Sequence, residues 1–321
     1  MPKAVQINKQ GGVDVLEVVD LPVPKVSPGK ILIKNHFIGT NFIDTYQRSG
    51  LYKVPLPYIL GREASGVIEA VGEGVTDFAV GDRVGYLHGS TYATYTDADI
   101  AQVVKLPDTV SFEAGASLFL QGLTALSLIR VAYEIKKDDY VLIHAAAGGT
   151  GALLVQLAKH YGAHVIGTTS TEEKAATAQS HGADDVILYT KQDVVEEVKR
   201  ITGGKGVHAV FDGIGKATFD VSLDSLRKLG YFLSFGNASG KIDDVDVFKL
   251  VPRAIRLSRP SLFELITGRE EFEKYANELL DLYTSKKIDF QIHKIYPLEN
   301  AGDAHVDIES GKTQGKLLLK V

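Results

Sequence analysis

The sequence predicts an α/β protein of two domains, one mostly β and one a doubly wound parallel sheet of Rossmann type. Three observations carry that expectation. The chain has 321 residues, more than one hydrophobic core usually serves, so two domains are expected. From Tyr140 to about Leu257, short apolar runs alternate with helical patterns of crossover length, the order that builds parallel strands with right-handed connections. The residues before about 123 are instead rich in Val, Ile, Gly and Pro, with turn signals at SPGK (27–30), GEG (72–74) and GDR (81–83), which describes a β domain.

Taken in order, the second domain opens with Tyr140 to Ile143, a run of large apolar residues that reads as a buried strand. Next comes HAAAGGTGALLVQLAK (144–159), in which Leu154, Leu157, Ala158 and Tyr161 recur at helical spacing and Gly162 supplies the stop. The runs HVIGTT, DDVILY, VHAVFD, YFLSFG and AIRLS are the further strands. Phe272, Tyr275, Ala276, Leu279, Leu280 and Tyr283 form one stripe of a core-facing helix. FQIHKIYP and GKLLLKV then alternate again, as strands able to return to the first domain.

Composition removes several function classes. A hydrophobic content of 45% and a net charge of -5 suit an ordinary globular protein rather than a dedicated nucleic-acid or membrane binder. With no cysteine, there is no disulfide, thiol nucleophile or thiolate zinc site. The N-terminal stretch lacks a secretory h-region, and no uninterrupted apolar run approaches the ~18 residues of a membrane span. A cytoplasmic location is the default expectation.

The crowded glycines after the first strand admit two readings. Glycine permits a merely tight turn, or it lets a ligand phosphate meet main-chain N–H groups where the helix dipole favours negative charge. The spacing is AxGxxG (Ala146, Gly148, Gly151), one glycine short of the dinucleotide fingerprint. Its place after the first of several alternating strands favours the dinucleotide. The second strand ends in Thr168, Thr169, Ser170 and Thr171, with Lys174 a turn further on and Tyr189 closing the third strand. NAD-binding units commonly carry an acidic residue there; hydroxyls and an ammonium suit the 2′-phosphate of NADPH. Glu172 and Glu173 read as first-turn residues favourable to the helix dipole, and Lys174 also admits a plain surface reading.

Together, GTNFIDTYQRSGLY (39–52), GREASGVIEAVGEGV (61–75), GDRV (81–84), HAAAGGTG (144–151), SFGNASG (234–240), SRPSL (258–262) and TQGKLLL (313–319) closely resemble the zeta-crystallin-like NADPH:quinone oxidoreductases of the medium-chain dehydrogenase/reductase superfamily. The resemblance spans the chain. It implies a GroES-like catalytic domain from residues 1–123 and 287–321, an inserted Rossmann domain from 124–286, an active site in the cleft between them, and a homodimer or homotetramer built through the Rossmann sheets. The activity it implies is metal-free hydride transfer from NADPH to a quinone.

Residue by residue, the resemblance places Asn41 beside the nicotinamide or the acceptor oxygen, and Tyr46 and Tyr52 in the acceptor pocket, where packing is their other reading. It places Gly149 and Thr150 at the pyrophosphate, with Gly148 and Gly151 beside them among the cofactor-binding residues, and Ser170, Lys174 and Tyr189 at the 2′-phosphate. Phe235, Gly236, Asn237, Ala238, Arg259 and Ser261 border the nicotinamide half, Thr124 is a further cofactor-binding residue, and Lys316 reaches a phosphate from the tail. Thr150 stands where Val is usual, and DGIG (212–215) where a DSVG-like turn is usual.

Zinc-dependent relatives in the superfamily carry a GHE motif. Here it is Gly61, Arg62 and Glu63, and the two cysteine ligand positions fall near Asn41 and Gln121, so no metal is expected. The nine histidines are scattered and read as structural or surface residues. Two rivals share much of the pattern: an enone or alkenal reductase differing only in its acceptor pocket, and a zeta-crystallin-type protein that binds AU-rich RNA, which the acidic balance and lack of a basic stripe disfavour.

Overall fold

In the computed structural model, which describes every residue from Met1 to Val321, the chain makes two units. One contains Met1–Gln121, Thr267–Thr284 and Phe290–Val321; the other contains Gly122–Ile266 and Ser285–Asp289.

The first unit begins with β1 (Lys3–Ile7), β2 (Glu17–Asp20), β3 (Lys30–Thr40), α1 (Phe42–Ser49), β4 (Tyr58–Ile59), β5 (Glu63–Val71), β6 (Arg83–Leu87), β7 (Tyr95–Asp99) and β8 (Val103–Lys105). Strand β1 pairs with β2 and β4, while β3 pairs with β5 and β7 and β5 with β6, all antiparallel. The three turn signals each hold a glycine in the left-handed region, Gly29, Gly74 and Gly81, a conformation that would strain any residue with a Cβ. Ile31, Ile33, Ile38, Ala64, Ile68, Val84 and Tyr86 fill the space inside these strands.

A helix α2 (Phe112–Ser127) continues into a π-helical turn, Leu128–Ala132. By length and composition this stretch is apolar enough to cross a membrane, with a mean hydropathy of 1.4. The run is not uninterrupted, since Gly, Ser, Thr and Gln break it, but they do not lower the average below that of a span. The fold explains its character: 78% of the most apolar window is buried inside the protein, as in a core helix.

The second unit carries β9 (Tyr140–Ile143), α3 (Gly149–His160), β10 (His164–Thr169), α4 (Glu172–Ser180), β11 (Asp185–Leu188), α5 (Val194–Ile201), β12 (Val207–Asp212), α6 (Phe219–Ser225), β13 (Leu226–Ser234), β14 (Arg256–Ser258) and α7 (Leu262–Leu265). Its six strands lie in the order β11-β10-β9-β12-β13-β14, every neighbour parallel. All six runs read from the sequence are therefore strands of one doubly wound sheet. The order reverses between β9 and β12, and ligands of such sheets bind at the strand carboxyl ends beside that reversal.

The chain then returns to the first unit through α8 (Arg269–Thr284), β15 (Ile292–Pro297), α9 (Ala301–Glu309) and β16 (Lys316–Lys320). Helix α8 buries Phe272, Ala276, Leu279 and Leu280, and Arg269 donates to the carbonyl of Ile100 at 2.6 Å. Strand β16 runs parallel to β15 and antiparallel to β3. The tail thus brings Lys316 to the end of β3, beside Gly39 and Thr40.

Candidate active site

At the sheet's reversal, the segment between β9 and α3 holds the glycines. Gly148 is the N-cap of α3 with extended backbone and no side-chain cap, so the first amides, including those of Gly149 and Thr150, have no intrahelical acceptor and point outward as donors. Gly151 does something else: a Cβ there would collide with the carbonyl of Ala145. Its smallness lets helix and strand pack, the part usually given to the third glycine of the fingerprint. Ala146 fills the first glycine's position and is fully buried.

The end of β10 is hydroxylic. Thr168 and Thr169 are buried, Ser170 is half-buried, and Thr171 caps α4 by accepting from the amide of Lys174 at 3.2 Å. Parallel pairing sets Thr169 beside Leu188, so Tyr189, 54% exposed, emerges next to Ser170. Glu172 is engaged by Lys191 at 2.8 Å. Ser170, Lys174 and Tyr189 therefore converge on one end of the sheet, with no carboxylate ending the strand.

Below the glycine turn runs a buried hydrogen-bonded chain. Ser222 donates to Asp212 Oδ2 at 2.7 Å, leaving its oxygen to accept from His144 Nε2 at 3.1 Å, and His144 Nδ1 then accepts from Thr168 Oγ1 at 2.9 Å. Burial holds His144 below the usual imidazole pKa, against the pull of Asp212. Asp212 also accepts from the amides of Ile214 and Gly215 and from Thr218. The ends of β9, β10 and β12 are thereby tied together.

Beyond β13, Phe235 N donates to Asp212 O at 2.8 Å and Ala238 N to Gly213 O at 3.2 Å. A Cβ at Gly236 would strike the carbonyl of Gly213, and Asn237 is buried. Arg259 Nη1 donates to the carbonyls of Ser234 and Gly236, both at 2.9 Å; the guanidinium braces this turn from behind. Ser261 is exposed as the N-cap of α7, and Thr124 is half-buried on α2.

In the first unit, β3 delivers Asn41 to the start of α1. Lys316 Nζ donates to Glu63 Oε2 at 2.6 Å and to Asn41 Oδ1 at 2.7 Å, with both charged side chains fully buried. Glu63 Oε1 accepts from the amide of Leu120 at 2.7 Å. Asn41 Nδ2 donates to Gly39 O at 3.1 Å and to Glu63 Oε2 at 3.2 Å. A buried ion pair survives only with such supporting bonds. Gly39 makes room for it, since a Cβ there would collide with Glu63 and with the carbonyl of Ala116. Two of the three N–H donors of Lys316 are taken by Glu63 and Asn41 and its side chain is fully buried, so the ammonium serves this cluster and is not presented at the surface to a phosphate.

Helix α1 carries Tyr46, and Tyr52 follows just after its end at Gly50. The two rings meet edge to face with centroids 5.2 Å apart. Asp44 and Arg48, one turn apart on α1, are buried. Asp44 Oδ2 accepts from Asn41 N at 2.8 Å and from Tyr92 OH at 3.1 Å, while its Oδ1 has no partner. Burial pushes the Asp44 carboxyl up to about 7, against the lowering influence of Asn41 N, Lys316, Tyr92 and Arg62. Tyr92 OH also lies 3.1 Å from His305 Nε2, and Arg48 Nη1 lies 3.1 Å from His305 Nδ1. Arg48 Nη2 reaches Glu309 at 2.8 Å. Burial and the Arg48 charge push His305 down to about 3. Sequence reasoning did not single out Asp44, Tyr92 or Arg48 and left His305 among the structural histidines. The spacing of Asp44 to Arg48 and of His305 to Glu309 was the available signal.

An antiparallel β unit that recaptures its C-terminal tail, together with a doubly wound sheet bearing a dinucleotide-type turn, defines a medium-chain dehydrogenase/reductase. Residues 27–108 match the family model of the alcohol dehydrogenase GroES-like domain, and residues 149–281 match that of the zinc-binding dehydrogenases. The chain is 45% identical over 317 residues to a probable quinone oxidoreductase of Schizosaccharomyces pombe, covering 98% of this chain and 96% of that one. It superposes on the solved structure of Escherichia coli quinone oxidoreductase complexed with NADPH with a TM-score of 0.96 at 42% identity, over 99% of this chain and 100% of the other. It is also 39% identical to a 2-haloacrylate reductase of a Burkholderia species, over 99% of both chains. The chain belongs to the quinone oxidoreductase family of that superfamily.

One family description names zinc, and the residues here do not fit it. No three His, Cys, Asp or Glu side chains gather where they could hold a metal ion. Arg62, Asn41 and Gln121, the residues that the resemblance sets near the ligand positions of zinc-dependent relatives, offer a guanidinium and two amides, poor ligands for zinc. Asn41 is committed to Glu63, Gly39 and an ammonium. A second cation beside Lys316 Nζ would face direct repulsion.

Proposed function

We propose that this protein reduces quinones with NADPH, as a homo-oligomer of the cytosol. NADPH supplies a hydride; the protein supplies binding and orientation. The observation that carries the reading is the buried Lys316–Glu63 pair with Asn41. The cluster around Asn41 is organised by the protein's own ammonium, which repels a second cation there, so on this reading the acceptor takes a hydride without a Lewis acid. An electron-poor quinone ring does so, whereas an alcohol–aldehyde couple ordinarily wants a metal. The quinone oxidoreductases of Schizosaccharomyces pombe and Escherichia coli, the latter holding NADPH, support the same assignment.

For the cofactor, the amides of Gly149 and Thr150 take the pyrophosphate at the start of α3, with Gly148 and Gly151 shaping the turn. Ser170, Lys174 and Tyr189 take the 2′-phosphate, and Thr124, Phe235, Gly236, Asn237, Ala238 and Ser261 border the nicotinamide half. Arg259 holds the 234–236 turn in place. Asn41, Tyr46 and Tyr52 line the acceptor side, and Lys316 fixes the amide of Asn41. Solvent delivers the proton that follows the hydride, because a phenol of pKa about 10 is a poor acid at neutral pH.

Oligomerisation is supported by the second unit's open edge strand β14, preceded by exposed Val247, Phe248 and Val251. The long apolar helix is buried in the protein rather than presented to lipid. The Burkholderia relative favours a second acceptor class, alkenes conjugated to a carbonyl or carboxylate. The deciding experiment follows NADPH absorbance on addition of 1,4-benzoquinone with chelator present, with NADH in parallel and 2-chloroacrylate as a competing acceptor. Rapid oxidation of NADPH by the quinone, and slow oxidation of NADH, is the expected result. Faster turnover of 2-chloroacrylate would transfer the assignment to the second class, and loss of activity with chelator would overturn the metal-free reading.

A further inference from the structure

Helix α1 is held from its inner side by side chains far away in sequence. Asp44 and Arg48 are four residues apart on α1, and His305 and Glu309 are four apart on α9, so each pair shares one helix face. Arg48 meets His305 at 3.1 Å and Glu309 at 2.8 Å. Tyr92 stands between the other two, 3.1 Å from His305 Nε2 and 3.1 Å from Asp44 Oδ2. Arg48 Nε also donates to Gly11 O at 3.3 Å, and Gly11 N returns a bond to Arg48 O at 3.0 Å.

The hydrogen-bond inventory gives the chain a direction. A guanidinium only donates, so His305 Nδ1 accepts from Arg48. His305 is then the neutral tautomer with its proton on Nε2, which donates to the Tyr92 oxygen, and Tyr92 O–H donates to Asp44. At about 100° per residue, Tyr46 stands roughly 160° round the helix from Asp44 and from Arg48. The face opposite the clamp is therefore the one that presents Tyr46, whose ring packs on Tyr52.

We infer that His305 is a positioning residue for the acceptor pocket: through Arg48 and Tyr92 it fixes where α1 places Tyr46 and Tyr52. This rests on the reading that those tyrosines line the acceptor side. Imidazole suits the task because one rigid ring accepts on one nitrogen and donates on the other, matching Arg48 and Tyr92 at once. A leucine of similar bulk offers neither.

The test measures KM and kcat for 1,4-benzoquinone and KM for NADPH in His305→Leu, His305→Gln, Tyr92→Phe, Tyr46→Ala and Tyr52→Ala, each compared with the parent by near-ultraviolet circular dichroism. His305→Leu should raise the quinone KM about tenfold, with kcat and the NADPH KM within about twofold. Tyr92→Phe, which removes one hydroxyl, should raise it about threefold. His305→Gln, whose amide both donates and accepts, should recover most of the loss. If His305→Leu does not fold, Tyr92→Phe and His305→Gln still decide the matter. A quinone KM unchanged in Tyr92→Phe and His305→Leu, while Tyr46→Ala and Tyr52→Ala raise it, overturns the clamp alone. If the two alanine variants also leave it unchanged, the pocket reading falls and the clamp's purpose with it. An equal rise in both substrates' KM means general loosening and likewise overturns the inference.

Discussion

Each unit has a buried histidine wired to a buried aspartate through one hydroxyl: His144 through Ser222 to Asp212 in the second, and His305 through Tyr92 to Asp44 in the first. Their endings differ. Asp212 gathers four donors, from Ile214, Gly215, Thr218 and Ser222. Asp44 has two, one oxygen without a partner, and a carboxyl pushed up to about 7 by burial. The first unit also buries a full ion pair, Lys316 with Glu63. A carboxylate satisfied on every side makes a fixed frame for a cofactor, whereas under-satisfied and ionic groups make the first unit the electrostatically sensitive half.

The ion pair gives the largest expected effect. Glu63→Gln should destabilise the protein by about 3–5 kcal/mol, because Lys316 is left as an uncompensated buried charge. Adding Lys316→Met should recover much of that loss, since the second charge goes too. In the other unit Asp212→Asn keeps an acceptor for the amides of Ile214 and Gly215 and turns an NH2 toward the hydroxyls of Thr218 and Ser222, which can rotate to accept, so it should cost only about 1–3 kcal/mol. Chemical denaturation of the four proteins measures this. Equal losses for Glu63→Gln and Asp212→Asn would erase the contrast between the units.

Next in size is a dependence on pH. Asp44 binds its proton more tightly folded, near pH 7, than unfolded, near 3.8. Below about 3.8 both states are protonated and nothing is lost. As pH rises from there toward 7 the unfolded state ionises first, so stability falls, and the full penalty is present above 7. Asp44→Asn cannot ionise, and its stability relative to the parent should improve between pH 5 and pH 8 by on the order of 2 kcal/mol. The groups set against Asp44 are Tyr92, Lys316 and Arg62, with Arg48 on the same helix. Melting both proteins across that range checks the sign; a gap that stays constant with pH would mean Asp44 is already ionised throughout.

How much of this was legible in the sequence follows the range of each signal. The six strands, the glycine turn, the hydroxyls ending β10 and the returning tail were readable because periodicity and spacing are local. The motif GRE showed Glu63, yet nothing local joined it to Lys316, 253 residues away. Arg48 and His305 are 257 apart and Tyr92 and His305 are 213 apart; such partners are set by how β16 and α9 return to β3 and α1. Gly39 looked like any strand glycine until the ion pair beside it explained why no Cβ fits. The packing role of Gly151 is likewise invisible in the sequence, because its collision partner, the carbonyl of Ala145, is set by how α3 lies against the turn.

On the cofactor side the expected effect is smaller and selective. Lys174→Ala should raise the NADPH dissociation constant about tenfold, about 1.4 kcal/mol, and leave that of NADH unchanged, because the ammonium answers only the 2′-phosphate. Fluorescence titration with the two nucleotides separates the cases, and an equal weakening of both would return Lys174 to the ordinary surface.

The smallest expected effect bears on the acceptor side, and its smallness is the point. Tyr46→Phe and Tyr52→Phe remove a hydroxyl and keep the ring, so the edge-to-face packing at 5.2 Å survives. If solvent supplies the proton, kcat with 1,4-benzoquinone should stay within about twofold of the parent across pH 6 to 8, since general acid catalysis by a positioned group would be worth roughly a hundredfold or more. A large fall in kcat for either variant, with the quinone KM unchanged, would make that phenol the acid. The first unit would then contribute a proton as well as a position, and its ionisable core would have to be reread as the means of tuning that phenol.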